Sequence, residues 1–222
     1  MRKLPAALLL IGMWAGLAGA GYAQTAGPDW VPHPQKPFSI HATEVTVEQY
    51  RACVEAGGCA EPIEGARCND SRGLADHPVN CVAYDDAERY CTWAGGRICR
   101  EQEWLDACKG TDGRQFPYGT VFDFYACNSQ SPVQTEEDRA VDTVAVGSMP
   151  QCEGGLAGLF DMSGNVAEWL AGCKDDYCKF RGGGYLSNEP LAQFNGCGGV
   201  CSGNARTFRS GVVGIRCCRD RD

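Results

Sequence analysis

The stretch Gly158-Leu-Phe-Asp-Met-Ser-Gly-Asn-Val-Ala-Glu-Trp169 contains the most distinctive pattern of polar residues in the chain. It predicts a tight turn from Asp161 to Asn165, because the glycine at position 164 lets the backbone bend there. Asp161 and Glu168 place two carboxylates on either side of that glycine. Carboxylates combined with main-chain carbonyls are the ligands that Ca²⁺ prefers. The alternative is a solvated turn followed by a buried tryptophan, and the spacing alone leaves both open.

The N-terminus has the pattern of a secretory signal peptide. Arg2 and Lys3 form a positive region, residues 4–18 an apolar region, and Gly21-Tyr-Ala23 a small-x-small cleavage site. The apolar run is too short and glycine-rich for a comfortable membrane span. We therefore expect cleavage after Ala23 and a soluble protein that is secreted or periplasmic.

Composition divides the rest of the chain into two parts. Residues 24–37 are rich in proline, glycine and polar residues, which predicts a flexible lead-in. Residues 38–222 are long enough to bury a core of their own, and one domain is the simplest interpretation.

The charge balance limits the classes of partner. The whole chain has a formal net charge of −8, and removal of Arg2 and Lys3 with the signal peptide makes it −10. A surface this acidic argues against nucleic acid or anionic membrane as the partner, and it agrees with bound cations.

Fifteen cysteines predict a disulfide framework, because an exported chain folds in an oxidising compartment. Short spacings favour local bridges between Cys53 and Cys59 and between Cys173 and Cys178. The number is odd, so at least one thiol is left over. Structural zinc is disfavoured, since there is no CxxC pair and the three histidines are scattered.

The periodicity predicts an α+β domain with modest regular structure. Residues 38–45 alternate as in a strand, and Thr46-Val-Glu-Gln49 is a capping box that opens a helix stopped by Gly57-Gly58. Two further helices are expected over residues 86–94 and 101–109. Beyond residue 109 the chain reads as loops and short strands.

A set of phrases occurs in a fixed order between Phe38 and Arg219. They are Glu44-Val-Thr46, Gln49-Tyr50, His77-Pro-Val79, Tyr84-Asp85, Tyr90-Cys-Thr-Trp-Ala-Gly95, Phe116-Pro-Tyr-Gly119, Asn128, the opening stretch, Arg181-Gly-Gly183 and Gly214-Ile-Arg-Cys217. Together they resemble the formylglycine-generating enzyme or sulfatase-modifying factor family. The resemblance implies a variant of the C-type lectin-like fold over nearly the whole mature chain.

The resemblance also shows where the chain departs from the enzymes. Those enzymes oxidise a cysteine of a sulfatase to formylglycine with molecular oxygen, on a copper ion held by two cysteines. The first of these cysteines corresponds to Ser187 here, and the second falls at or near Ala192. A hydroxyl cannot replace a thiolate toward copper. The serine that ends the family phrase is Gly184, and the aromatic residue often found at Ala167 is also missing.

These departures favour a non-catalytic or repurposed domain, expected to be monomeric and to bind a polypeptide or glycan. The alternative is a copper- and oxygen-dependent oxidase that uses a rearranged thiol site, such as Cys197 with Cys201 or Cys173 with Cys178. A related branch of the family uses non-haem iron on histidines. Here His33, His41 and His77 are expected to be satisfied or solvent-facing, which disfavours iron chemistry.

Calcium is the metal that the resemblance favours. It implies one site made by the Asp161 and Glu168 carboxylates with the Gly164 and Val166 carbonyls. A second site would use the Asn128 side chain and the Ser129 carbonyl, with Asp138 as the nearest acidic candidate.

The resemblance implies two long-range disulfides as well. Cys91 is expected to pair with Cys217, and Cys108 with Cys201. Closing loops of this length stabilises the folded state by about 4–5 kcal/mol each in the chain-entropy model, with strain reducing that value.

Overall fold

The computed structural model describes residues 29–129, 142–187 and 195–221. The predicted signal peptide, Asp138 and Ala192 lie outside these ranges. The elements in chain order are β1 (Trp30–Pro32), β2 (Phe38–His41), α1 (Val47–Glu55), α2 (Tyr84–Trp93), β3 (Arg97–Ile98), α3 (Glu101–Lys109), a 3₁₀ turn (Pro150–Cys152), β4 (Ala167–Trp169), β5 (Tyr177–Arg181), β6 (Ser202–Ala205), β7 (Val213–Gly214) and β8 (Cys217–Asp220). The α+β class predicted from the sequence is confirmed.

The three α-helices of the described residues begin where local hydrogen bonds cap them. At α1 the Thr46 hydroxyl accepts from the Gln49 N–H at 3.1 Å, and the Gln49 side chain accepts from the Thr46 N–H at 3.0 Å. This is the capping box that the sequence predicts. At α2 the cap differs, because Asp86 rather than Asp85 accepts from the Ala83 N–H, at 2.9 Å, and the helix starts at Tyr84.

The strands form two four-stranded sheets, ordered β1-β2-β8-β3 and β6-β5-β4-β7. All pairings are antiparallel except β4 with β7, which is parallel. The first sheet corrects the predicted lead-in, since β1 pairs with β2 from Trp30 opposite His41. Trp30 lies edge-on to the His41 ring at 4.2 Å, so this part of the lead-in packs on the domain.

Seven disulfides cross-link the described residues. The predicted pairs Cys53–Cys59, Cys173–Cys178 and Cys91–Cys217 are confirmed. The other four bridges are Cys68–Cys81, Cys99–Cys218, Cys108–Cys197 and Cys127–Cys152.

The predicted pair Cys108–Cys201 is wrong, because Cys108 bonds to Cys197 and Cys201 is a free thiol. The Cys197 N–H donates to the Gln115 carbonyl at 2.8 Å, which holds the buried Cys197 beside the end of α3. Cys201 comes directly before β6, and its Sγ lies 3.6 Å from the carbonyl of Phe180 in the neighbouring β5. The sheet therefore fixes Cys201 in a different place.

The core consists of two buried apolar clusters. One contains Trp169 with residues of α1 and α2, and the other contains Trp104 with residues of β2 and α3. The stretch from Gly158 to Trp169 contributes to both, through Met162 and Trp169. Among the described residues, no helix is long and apolar enough to cross a bilayer.

Candidate functional site

The opening stretch ends in a buried ion pair. Glu168 Oε1 accepts from Arg216 Nε at 2.7 Å, and Glu168 Oε2 accepts from Trp104 Nε1 at 2.5 Å. Arg216 also donates to the carbonyls of His41 at 2.8 Å and Phe160 at 2.7 Å. Both charged side chains are only 1% exposed. The Arg216 guanidinium, directly before β8, therefore joins the end of β2, residue 160 and β4.

Two further carboxylates, Glu44 and Asp161, are buried near this pair. Glu44 accepts from the Val166 N–H at 2.9 Å and from Asn165 Nδ2 at 2.7 Å. Burial, together with the charges of Asp161 and Glu168, raises the pKa of Glu44 well above its usual value. Burial likewise raises the pKa of Asp161 and of Glu168. Three buried acids thus face one buried guanidinium, and this surplus of negative charge is costly in a low dielectric.

The turn has the tight geometry that the sequence predicts. Asp161 and Asn165 adopt positive φ angles of 59° and 54°, and Gly164 has a φ of 80°. A Cβ at Gly164 would lie 2.4 Å from the Asn128 carbonyl oxygen, so no larger residue fits. The same carbonyl accepts from the Asn165 N–H at 2.8 Å. The two stretches proposed to bind calcium, at Asn128 and at Asp161, therefore lie against each other.

The donor atoms fit calcium at some of the predicted positions. Within the described parts of the chain, neither the Gly164 nor the Val166 carbonyl accepts a hydrogen bond. Asp161 uses one carboxylate oxygen to accept from the Gly147 N–H at 2.6 Å. Glu168, however, accepts one hydrogen bond on each carboxylate oxygen, from Trp104 on one and from Arg216 on the other. Each of these oxygens keeps one lone pair for a metal. No cluster of three or more His, Cys, Asp or Glu side chains in the described residues is arranged to hold a metal.

The histidines differ from the sequence expectation at one position. His33 Nδ1 accepts from the Gln35 N–H, and His77 Nδ1 lies 2.8 Å from the Thr143 hydroxyl, so both are satisfied. His41 is 2% exposed and neither ring nitrogen has a hydrogen-bond partner. Burial and the nearby charge of Arg216 lower the pKa of His41 to about 3, which keeps its ring neutral.

A separate cavity of about 330 Å³ lies beside β4 and β5. It is lined by Ala167, Phe180, Arg181, Gly183, Gly184, Leu186, Ser187, Val200, Ser202 and Val212. The lining includes Ala167, Gly184 and Ser187, which are three of the four positions where the sequence departs from the enzymes. The structure therefore brings these departures together around one space.

Two polar side chains at this cavity, Ser187 and Arg181, are bonded within the protein. Ser187 Oγ accepts from the Gly184 N–H at 3.0 Å. Arg181 pairs with Glu101 at 2.6 Å and donates to the Gly199 carbonyl, also at 2.6 Å. Most of the remaining wall is aliphatic or aromatic, so the cavity favours an apolar group.

Comparison with known proteins places the chain in a family. A profile of the sulfatase-modifying factor enzyme 1-like domain matches residues 15–221. The chain belongs to the sulfatase-modifying factor family. The formylglycine-generating enzyme of Streptomyces coelicolor is 32% identical over 189 residues, which cover 72% of this chain and 57% of the relative. The inactive C-alpha-formylglycine-generating enzyme 2 of Bos taurus is 33% identical over 105 residues, covering 45% of this chain and 34% of the relative. The chain thus spans about a third to three fifths of these relatives.

Solved structures agree with the family fold. PvdO from Pseudomonas aeruginosa superposes with a TM-score of 0.66 at 23% identity, over 83% of this chain and 81% of that one. CarF gives a TM-score of 0.61 at 24% identity, over 83% and 87% of the two chains. These likenesses show that the fold is the C-type lectin-like variant of the family.

Almost all cysteines of this family member form disulfides. Fourteen of the fifteen cysteines form disulfides, including both members of Cys173–Cys178 and Cys197. The remaining thiol, Cys201, is half-buried, and burial raises its pKa. The rearranged copper sites proposed from the sequence were Cys197 with Cys201 and Cys173 with Cys178. In this structure neither pair consists of two free thiols.

Two members of the buried cluster have roles that the sequence did not reveal. Glu44 and Arg216 both lie inside family phrases, but only the structure shows them bonded to the opening stretch. A signal was available only for Arg216, which stands between the apolar residues Ile215 and Cys217, whereas Glu44 lies between Thr43 and Val45. A charged residue within an apolar run predicts a buried partner.

Proposed function

We propose that this protein is a non-catalytic or repurposed sulfatase-modifying factor domain that binds an extended polypeptide. The main observation in support of this proposal is that Ala167, Gly184 and Ser187 line one cavity with mostly apolar walls. Small residues at these positions leave space where the enzymes have an aromatic residue and a thiolate. The cavity accepts an apolar side chain of the ligand.

The lining favours a polypeptide over a glycan. Sugar recognition needs several converging polar groups, whereas Arg181 and Ser187 are occupied by internal hydrogen bonds. Phe180 and Val200 supply apolar contact surface instead, and Val200 is 47% exposed at the edge of the cavity. An apolar side chain buried against such walls contributes about 1.5–3 kcal/mol.

A phage-displayed library of random peptides tests this binding function. The wild-type protein is expected to enrich peptides that share an apolar residue. Val200→Arg places a charged side chain at the edge of the cavity and is expected to abolish the enrichment. Val121→Arg is the matched control, because Val121 is 78% exposed and does not line the cavity. Enrichment that survives Val200→Arg would show that the ligand binds elsewhere.

The alternative function is oxidation of a protein cysteine to formylglycine. Family membership and the Streptomyces relative favour it. It needs two thiolates for copper, and the described structure offers one free thiol, at Cys201. Oxygen uptake by the copper-loaded protein with a Cys-x-Pro-x-Arg peptide distinguishes the two functions.

Export is part of the proposal. The predicted signal peptide and seven disulfides support a secreted or periplasmic protein, because thiols pair stably in oxidising compartments. The mass of the mature protein checks the cleavage site after Ala23.

Calcium binding at the opening stretch is also proposed. In the first site, the Asp161 carboxylate and the carbonyls of Gly164 and Val166 would hold the ion, and Glu168 would contribute a lone pair that its hydrogen bonds leave free. The second site would be formed by Asn128 and Ser129. A bound cation would offset the surplus of buried negative charge. Calcium is expected to raise the melting temperature of wild type and to raise it less in Asp161→Asn. Equal melting temperatures with and without calcium in wild type would overturn this part.

A further inference from the structure

A second cavity, of about 550 Å³, adjoins the first through a shared loop. Its walls are formed by residues 113–116, by Lys109 at the end of α3, and by the glycines of residues 196–199. Gly199 lines this second cavity and the next residue, Val200, lines the first. A ligand that follows this loop in an extended conformation, at about 3.3 Å per residue, would contact both cavities.

The second cavity is cationic. No acidic side chain lines it, and Lys109 forms no ion pair with any described residue. Among the residues that the structure describes, the neighbouring Arg114 is paired with Asp112 at 2.9 Å, so the unpaired cation of this cavity is Lys109. This contrasts with the chain as a whole, whose net charge is −8.

The shared loop positions that charge. Arg181 Nη1 donates to the Gly199 carbonyl at 2.6 Å, and the Cys197 N–H donates to the Gln115 carbonyl at 2.8 Å. A Cβ at Gly198 would lie 3.7 Å from both Cε and Nζ of Lys109, so the lysine packs closely over this glycine. The ammonium group is therefore held near the loop that separates it from the apolar cavity.

We infer that the ligand is a polypeptide that combines an apolar side chain with a nearby carboxylate, the first in the apolar cavity and the second paired with Lys109. This inference rests on the proposed function and specifies its ligand class. An acidic ligand is repelled by most of this protein's surface, so Lys109 gives specificity as well as affinity. A basic residue at the same position of the ligand would be rejected.

The same peptide library, selected in parallel on three proteins, tests the ligand class. Wild type is expected to enrich peptides with an apolar residue and an Asp or Glu in the same sequence. Lys109→Glu is expected to keep the apolar residue and to exchange the acid for Lys or Arg. Lys174→Glu makes the same charge change at an exposed site away from both cavities, and it is expected to select as wild type does.

A synthetic peptide from the wild-type selection gives the quantitative result. Its affinity is expected to fall about tenfold or more on Lys109→Glu and to stay unchanged on Lys174→Glu. Circular dichroism and melting temperature check that each variant is folded. Apolar peptides with no acidic preference would overturn this inference and leave the proposed function intact. No enrichment on wild type would overturn both.

Discussion

Glu168 has two buried hydrogen-bond partners that the sequence did not predict. Its spacing from Asp161 suggests a calcium ligand, but both of its oxygens are bonded to Arg216 and Trp104. A variant of Glu168 would therefore lose stability for reasons unrelated to calcium. Asp161, with one oxygen committed to the Gly147 N–H, is the better position at which to test the metal.

We predict that Glu168→Gln strongly destabilises the protein. It removes the one carboxylate that is bonded directly to Arg216 and Trp104 and sets an amide NH₂ group against one of those donors; breaking a buried pair in this way costs about 3–5 kcal/mol. The measurement is the free energy of unfolding in urea, with and without calcium, and the loss is expected in both conditions. Asp85→Asn is the control, since it breaks the exposed pair with Arg206 and costs about 1 kcal/mol or less. A loss seen only in the presence of calcium would show that metal binding is the main role of Glu168.

The buried titratable residues predict two pH effects of opposite sign. The pKa of His41 is lowered to about 3, so the stability that it confers is present above about pH 6.5 and is lost as the pH falls below that value. The pKa of Glu44 is raised, so its contribution is present below about pH 4 and is lost as the pH rises through the folded-state value. The slope of the unfolding free energy against pH in the wild type is the sum of these two effects.

Variants separate the two contributions. His41→Phe is expected to remove up to about 1.4 kcal/mol of acid sensitivity per pH unit between roughly pH 4 and 6.5. Glu44→Gln is expected to make unfolding more acid-sensitive than in wild type over the same range. Urea unfolding midpoints at several pH values, in calcium-free buffer, measure both. Slopes that shift in the same direction in the two variants would contradict these assignments.

At the scale of elements, the sequence predicted what local signals determine. The Thr46 to Gln49 capping box placed α1, and α3 matches its predicted range. β1 was missed because Trp30 and Val31 stand between prolines and glycines, and only pairing with β2 makes them a strand. The strand predicted for residues 38–45 ends at His41, since the backbone leaves the sheet before the α1 cap.

Long-range pairing was predictable only in part. Cys91 and Cys217 lie in recognisable phrases, whereas Cys197 and Cys201 share one glycine-rich loop whose path depends on the Gln115 contact and on β5. For the apolar cavity, the sequence showed only that several positions differ from those of the enzymes. That Ala167, Gly184 and Ser187 surround one space required the fold.

The adjacent bridges Cys91–Cys217 and Cys99–Cys218 are predicted to substitute for each other in part. Taken alone, they close chain segments of 126 and 119 residues. When one bridge is intact, however, the other closes a loop of only about ten residues, made of residues 91–99 and 217–218. Replacing either pair by alanines is expected to cost about 2–3 kcal/mol, and replacing both about 6–7 kcal/mol. Guanidinium unfolding of the three variants measures this non-additivity, and simple addition of the two losses would contradict it.

At the scale of the whole molecule, we propose that the protein is a family scaffold in which a ligand-binding cavity stands where the enzymes have their reaction centre. Seven disulfides and the buried Arg216 network hold the fold. The positions that depart from the enzymes line a space of about 330 Å³, and a cationic cavity adjoins it. The proposed binding cavities therefore lie apart from the buried Arg216 network.

The most direct test of this account is oxygen uptake by the copper-loaded protein with a Cys-x-Pro-x-Arg peptide, combined with a count of free thiols after denaturation. We predict one free thiol per molecule, at Cys201, and no peptide-dependent oxygen consumption. Turnover to formylglycine that disappears in Cys201→Ala or Cys197→Ala would contradict it, because the reaction centre would then be active.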